Sequence, residues 1–238
     1  MYPNMFNNIA EGVDKAGMPK NLTPSLDRLA KEGIWLDNIK VVSPVCTPSR
    51  YICLTGNYAS RATNSHFLST SKNNDGQPVI QWSSFIVPGK EKTMGTYFQN
   101  LGYKTGFVGK NHVIESLAQV GYKAKTDLNA NPKDPKVKEG LLYLYHELQN
   151  DIKKCEFDYA DGLDHNNPKF LGVKALASHN MDWITEKGLD FIEKNKNEPF
   201  LLYFATTRPT NNKQSWMADR RITPIGILNK APEVLPQK

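Results

Sequence analysis

Apolar and polar positions along the chain recur with two periods, and the switches between them mark out helices and strands. In TPSLDRLAKEG, Leu26, Leu29 and Ala30 share one helical face between a capping Thr23, a Pro24 suited to the first turn and a Gly33 stop. That spacing predicts a packing helix. Ile34 to Val42 is rich in β-branched and aromatic residues and predicts a strand feeding the loop Ser43 to Val45. In SPVCTPSRYICLTG, Pro48 fits a first turn and Gly56 the position past a last one, so Cys46 is expected at a helix N-terminus. Thr93 caps a short helix ending at Leu101-Gly102, and Tyr103 to Val108 alternates into a strand that stops at Gly109.

Ser116 to Pro168 reads as a lysine-rich, irregular insertion broken by Pro132 and Pro135 and wrapped around one amphipathic helix, with Leu141, Leu144, Tyr145 and Leu148 on its apolar face. Asn180 caps a long helix carrying Trp183, Ile184, Leu189, Phe191 and Ile192. Pro199 then opens FLLYFA, a continuous apolar run of the kind buried on both faces of a mostly parallel sheet. Strand, helix and strand in this order predict an α/β fold: a mostly parallel central sheet flanked by helices.

Composition narrows the classes. At 238 residues, with 39% hydrophobic and 23% charged positions, the chain has material for one large domain or two small ones. No apolar run reaches the roughly 18 residues of a membrane span, so no membrane partner is expected. The first residues have neither a basic start nor an apolar core, so no signal peptide is expected either. A net charge of +6 suits an anionic substrate, but the basic groups are scattered among acidic ones, which argues against nucleic acid. Cys46, Cys53 and Cys155 form neither a CxxC pair nor a disulfide framework, and they assign no compartment. Asn21-Leu22-Thr23 fits a glycosylation triplet, common by chance.

The candidate chemistry centres on Cys46. A helix N-terminus offers unpaired N–H groups and a positive dipole end, which stabilise a thiolate or a bound oxyanion, and Arg50 one turn on adds a fixed positive charge. Lys110 and His112 follow a strand end, and alternation in an extended chain would aim both into one pocket. Taken singly, these residues also read as a buried cysteine, a surface arginine and two solvated side chains. His66 reads as an ordinary surface histidine, with contact to a substrate as the alternative, while His146 and His165 lack ligand-like spacing and read as structural or exposed.

Cys46-Thr47-Pro48-Ser49-Arg50 followed by Leu54-Thr55-Gly56 resembles the first signature of the type I sulfatases, and Gly102-Tyr103 with Thr105, then Gly109-Lys110 with His112, is similar to the second. The resemblance implies an alkaline-phosphatase-like α/β fold and a sulfuric ester hydrolase. It implies that Cys46 is converted to formylglycine by a separate formylglycine-generating enzyme and, so converted, is also a calcium ligand. Arg50 would anchor the formylglycine, Lys110 would hold a sulfate oxygen, and His112 would assist proton removal when sulfate is expelled. A sulfated small molecule or glycan would be the substrate.

The chain departs from that family pattern at several places. Asn111 replaces the usual aromatic residue, Val113-Ile114 replaces the usual Leu-Gly, and Arg208-Pro209-Thr210 stands where the family carries Pro-His. Neither the paired Asp-Asp nor the Asp-Asn that helps to bind calcium is visible. Residues 1–210 are therefore expected to be a partial sulfatase catalytic domain, truncated at both ends, with 211–238 an irregular tail. Little or no turnover is expected from this polypeptide alone. Alternatives are a phosphonate or phosphodiester hydrolase of the same superfamily and a non-catalytic binding fragment for sulfated ligands. A cysteine phosphatase is disfavoured, since its phosphate loop needs more than the three residues found between Cys46 and Arg50.

Overall fold

Three parallel strands carry the structure: β1 (Lys104–Lys110), β2 (Tyr159–Asp164) and β3 (Phe200–Ala205), in the spatial order β2-β1-β3. The computed structural model describes residues 24–36, 38–70, 75–76, 79–80, 83–116, 130–131, 133–165 and 181–206, together with the backbone of 222–223 and 226–227. The helices are α1 (Pro24–Glu32), α2 (Cys46–Thr55), α3 (Ser65–Thr70), α4 (Met94–Asn100), α5 (Pro135–Lys153) and α6 (Met181–Asn195). Ile222–Thr223 (β4) and Gly226–Ile227 (β5) pair antiparallel. The chain divides into two compact units, Met1–Val41 and Val42–Lys238.

In the larger unit, β1 is the central strand because its side chains are the ones that can be enclosed. Phe107 and Val108 are fully buried, and Phe107 meets Phe157 edge-on at 5.4 Å and Tyr203 at 4.9 Å between ring centroids. A buried aromatic of this kind contributes about 2 to 3 kcal/mol relative to exposure. Gly106 lets α6 approach: a Cβ there would stand 2.8 Å from the ring of Phe191. At the strand's far end Gly109 has φ 96°, and a Cβ would stand 2.2 Å from the Ala205 carbonyl oxygen of β3. Only glycine fits both the backbone angle and that gap.

Caps follow the sequence closely. Thr93 caps α4 as expected and forms a capping box with Thr96, and its hydroxyl donates to the Cys155 carbonyl at 2.7 Å. Asp134 caps α5 by accepting from Lys136 and Val137, and Leu141, Tyr145 and Leu148 are buried as their spacing predicts. On α6, Trp183, Ile184 and Phe191 are buried. The caps expected at Thr23 and Asn180, the Asn21 triplet, and the Arg208-Pro209-Thr210 loop lie outside the described residues.

Three expectations are corrected. Ile34 to Val42 contains no strand among its described residues, and Ile34, Leu36, Ile39 and Val41 are exposed. Propensity makes a strand only where a neighbouring strand offers a ladder, and none of the observed pairings includes this segment. In α1 the expected packing residues Leu26 and Leu29 are exposed and Asp27 is buried. Spacing decides which residues share a face but not what covers it. Finally β3, expected to be buried on both faces, leaves Phe204 42% exposed, and among the described residues it pairs only with β1.

The stretch read as an irregular insertion also contains β2, a full member of the sheet. Its sequence YADGLD lacks an apolar alternation. Tyr145 Oη donates to Asp161, and the Gln149 side-chain amide donates to the Ala160 carbonyl at 2.8 Å, so α5 supplies the support that propensity does not.

Gly109→Ala should destabilise the chain by about 3 kcal/mol or more, because strain at positive φ and overlap with the Ala205 carbonyl act together. Urea unfolding measures it. A loss under about 1 kcal/mol, the cost of an unremarkable glycine substitution, would contradict the close β1–β3 approach.

Candidate active site

The C-terminal ends of β1 and β2 and the N-terminus of α2 converge, the arrangement by which parallel sheets present functional groups. Val45 is the N-cap of α2 in an extended conformation (φ −96°, ψ 135°) with no side-chain cap, and Cys46 is the first helical residue. Gly56 closes the helix at φ 70°, donating to Ile52 O at 2.9 Å. Cys46 is half-buried, and its Sγ lies 3.0 Å from His112 Nδ1. That contact spans 66 residues of sequence.

Arg50, one helical turn on, reaches the sheet. Its Nη1 donates to the Lys110 carbonyl at 2.8 Å and to Tyr203 Oη at 3.4 Å. The guanidinium thus ties α2 to the ends of β1 and β3 while adding charge to the site. Lys110 is buried to 3% exposure and sits in register with Asp164 of β2.

His112 reaches Cys46 by a route other than the predicted one. The extended chain stops at Lys110, and His112 has φ 55°, the left-handed region that costs a non-glycine residue on the order of 1 kcal/mol. Its N–H donates to the His165 carbonyl and the N–H of Asn111 to the Asp164 carbonyl, each at 2.8 Å. A tight turn laid across the end of β2, and not strand alternation, brings Lys110 and His112 to one place.

Burial and charge then set the protonation states. His112 is pushed down to about 3, by desolvation first and then by Lys110, His165 and Arg50. It is a neutral imidazole across the physiological range. Lys110 is also lowered, chiefly by burial, with Arg50 acting in the same sense and Cys46 and Asp164 opposing. Asp164, wholly buried, is raised to about 7 by desolvation, which Lys110 partly offsets. Its Oδ2 is buried without a hydrogen-bond partner.

Cys46, Arg50, Lys110 and His112, widely spaced in sequence, are therefore brought together. His146 is exposed and bonded to Gln149, and His66 is exposed. His165, read as structural or exposed, is buried beside His112 and acts on its charge. Asp164 and Tyr203 went unnoticed because neither belongs to a recognisable spacing. The only signal for Asp164 was an acidic residue at the end of a segment not recognised as a strand.

The family model described as Sulfatase matches residues 9–212. The chain belongs to the sulfatase family. It is 30% identical over 82% of its length to an ulvan-active sulfatase of Formosa agariphila, covering 32% of that protein. It is 27% identical over 80% of its length to an N-acetylgalactosamine-6-O-sulfatase of Bacteroides thetaiotaomicron, covering 44% of it. An uncharacterized sulfatase of Escherichia coli, YidJ, is 38% identical over 41% of this chain and 16% of its own. The chain thus spans less than half the length of these relatives. The parallel sheet flanked by helices agrees with the α/β fold of the family.

Sulfatases are generally formylglycine enzymes that depend on calcium. The setting of Cys46 fits the first requirement: an oxygen in place of Sγ would meet the helix N-terminus and His112 Nδ1. The second is not met by the described residues. Calcium takes roughly six to eight oxygen ligands, and no group of three His, Cys, Asp or Glu among the described residues could hold a metal ion. Among the described residues, the one buried carboxylate oxygen without a partner, on Asp164, faces the field of Lys110.

The buried Asp164 generates a pH signature. A carboxyl raised from 3.8 to about 7 binds its proton more tightly in the folded state, so its contribution to stability is full at low pH and is lost as pH rises toward 7. Wild type should lose stability relative to Asp164→Asn between about pH 4 and pH 7, by up to a few kcal/mol at about 1.4 kcal/mol per pKa unit. Urea unfolding of both chains at several pH values measures the difference. Parallel stability curves would mean that Asp164 is ionised in the fold.

Proposed function

We propose that the chain carries the sulfate-recognition and nucleophile half of a sulfuric ester hydrolase, with Cys46 as the precursor of formylglycine. The observation that supports this reading is the 3.0 Å approach of Cys46 Sγ to a neutral His112, with Arg50 and Lys110 beside them. A hydrated aldehyde at position 46 would supply two hydroxyls on one carbon, one to attack sulfur and displace the alcohol, the other to lose its proton as sulfate leaves. Arg50 holds the helix bearing that group against the sheet. Lys110 provides charge for a sulfate oxygen.

His112 is a weak base in the free site because two cations and burial press on it. An anion bound among Arg50 and Lys110 cancels part of that field and raises the basicity of the imidazole. The proton acceptor is thereby strengthened by the substrate itself. Rivals of the same superfamily, phosphonate or phosphodiester hydrolases, would use the same groups, and no observation favours them.

A second reading, binding of sulfated ligands without turnover, is favoured by the lack of a calcium donor set among the described residues. Two measurements separate the readings. Inorganic sulfate should raise the melting temperature of the wild-type chain above that in chloride of equal ionic strength, by the increment that ligand linkage gives, and Lys110→Met should remove the increment. Chain co-expressed with a formylglycine-generating enzyme should show the aldehyde on the Cys46 peptide by mass spectrometry. It should nonetheless hydrolyse an aryl sulfate with added calcium far below the roughly 1 to 1000 per second of ordinary enzymes. Ordinary turnover would refute the second reading, and an intact thiol after co-expression would refute the first.

A further inference from the structure

Within the sulfatase reading, His112 matters only if its ring stays against residue 46, and the turn that holds it there is costly. The chain leaves β1 at Lys110, passes through His112 at φ 55°, and is back in register by Ile114, which bridges Ile86. Backbone bonds from Asn111 and His112 to the end of β2 fix the start of the turn, and Ile86 N to Val113 O at 2.9 Å fixes its far side. Between these anchors stands Asn111, fully buried. Its Oδ1 accepts from Ile114 N at 2.8 Å and from Val113 N at 3.3 Å, and its Nδ2 donates to Ile114 O at 2.8 Å.

Three bonds from one side chain close the turn around His112 and satisfy backbone groups that would otherwise be buried unpaired. We infer that Asn111 is the positioning residue for His112: its amide closes the turn from 111 to 114 and so holds the imidazole at Cys46. Phenylalanine at this place would offer neither an acceptor for the two N–H groups nor a donor for the carbonyl, and tryptophan would offer a single ring N–H donor and no acceptor. Asn111 acts through His112 and touches no reacting atom itself.

The test uses the full chain in its thiol form and needs no turnover, so its failure is separable from failure of the sulfatase reading. In isotope-labelled wild type, the His112 Hε1 proton, next to Nδ1, should show a through-space contact to the Cys46 Hβ protons. Asn111→Ala should abolish that contact while contacts in the Phe107 and Trp183 core persist. A companion measurement covers poor folding of that variant. Asn111→Ala should lower the melting temperature at least about twice as much in the wild-type background as in a His112→Gly background, because glycine at positive φ needs no side-chain bonds to hold it. The inference is overturned if the contact survives in Asn111→Ala or if the two losses are equal. It is also overturned if Asn111→Ala fails to fold in both backgrounds, since Asn111 would then serve the core at large.

Discussion

Parallel pairing of β1 on both of its sides is the constraint from which the site follows. Strands that run the same way end at the same edge, so Lys110, Asp164 and Ala205 come out side by side although the chain between them is long. The pairing is close enough that the β3 carbonyl at Ala205 occupies the space a side chain on Gly109 would need. With the strand ends locked together, one arginine from α2 suffices to bring a helix N-terminus to them. Arg50 bonds to a backbone carbonyl of β1 and to a tyrosine of β3, so the helix is referred to the sheet and not to a mobile side chain.

The electrostatics depend on that geometry. Two cations and a half-buried thiol share a space that holds one fully buried carboxyl, and burial penalises every charged form in it. A buried ion pair would leave Asp164 ionised. Its elevation to about 7 says that desolvation outweighs the attraction of Lys110. Near neutral pH Asp164 is about half-protonated and balances the charge of Arg50 and Lys110 only in part. Burial first, and then that field, keeps His112 neutral.

How much of this was legible in the sequence depended on the range of the interaction. Local punctuation was readable: Gly56 after α2, the Thr93 cap of α4 and the apolar stripe on α5 behave as their residue types require. Features set by distant neighbours were not. YADGLD is a strand because α5 braces it, and Ile34 to Val42 is not one because no observed ladder includes it. Lys110 and His112 were rightly paired for the wrong geometric reason, since alternation was assumed where a turn closed by Asn111 does the work. His165 could not be placed while β2 went unrecognised. The four residues of the candidate site were found because the Cys46–Arg50 signature and the Gly-Lys-x-His core of the second are both present.

The identity of Asn111 bears on how far the family pattern constrains the site. A signature can preserve the reacting groups while the residue between them changes the means by which they are held. Here a buried amide ties the turn by directional bonds. Packing holds a loop by filling volume and tolerates small shifts, whereas hydrogen bonds to backbone groups are lost steeply with distance and angle. Such a turn keeps His112 at one distance from residue 46 even though its backbone is strained. Asparagine at position 111 is therefore compatible with the turn that brings His112 to Cys46.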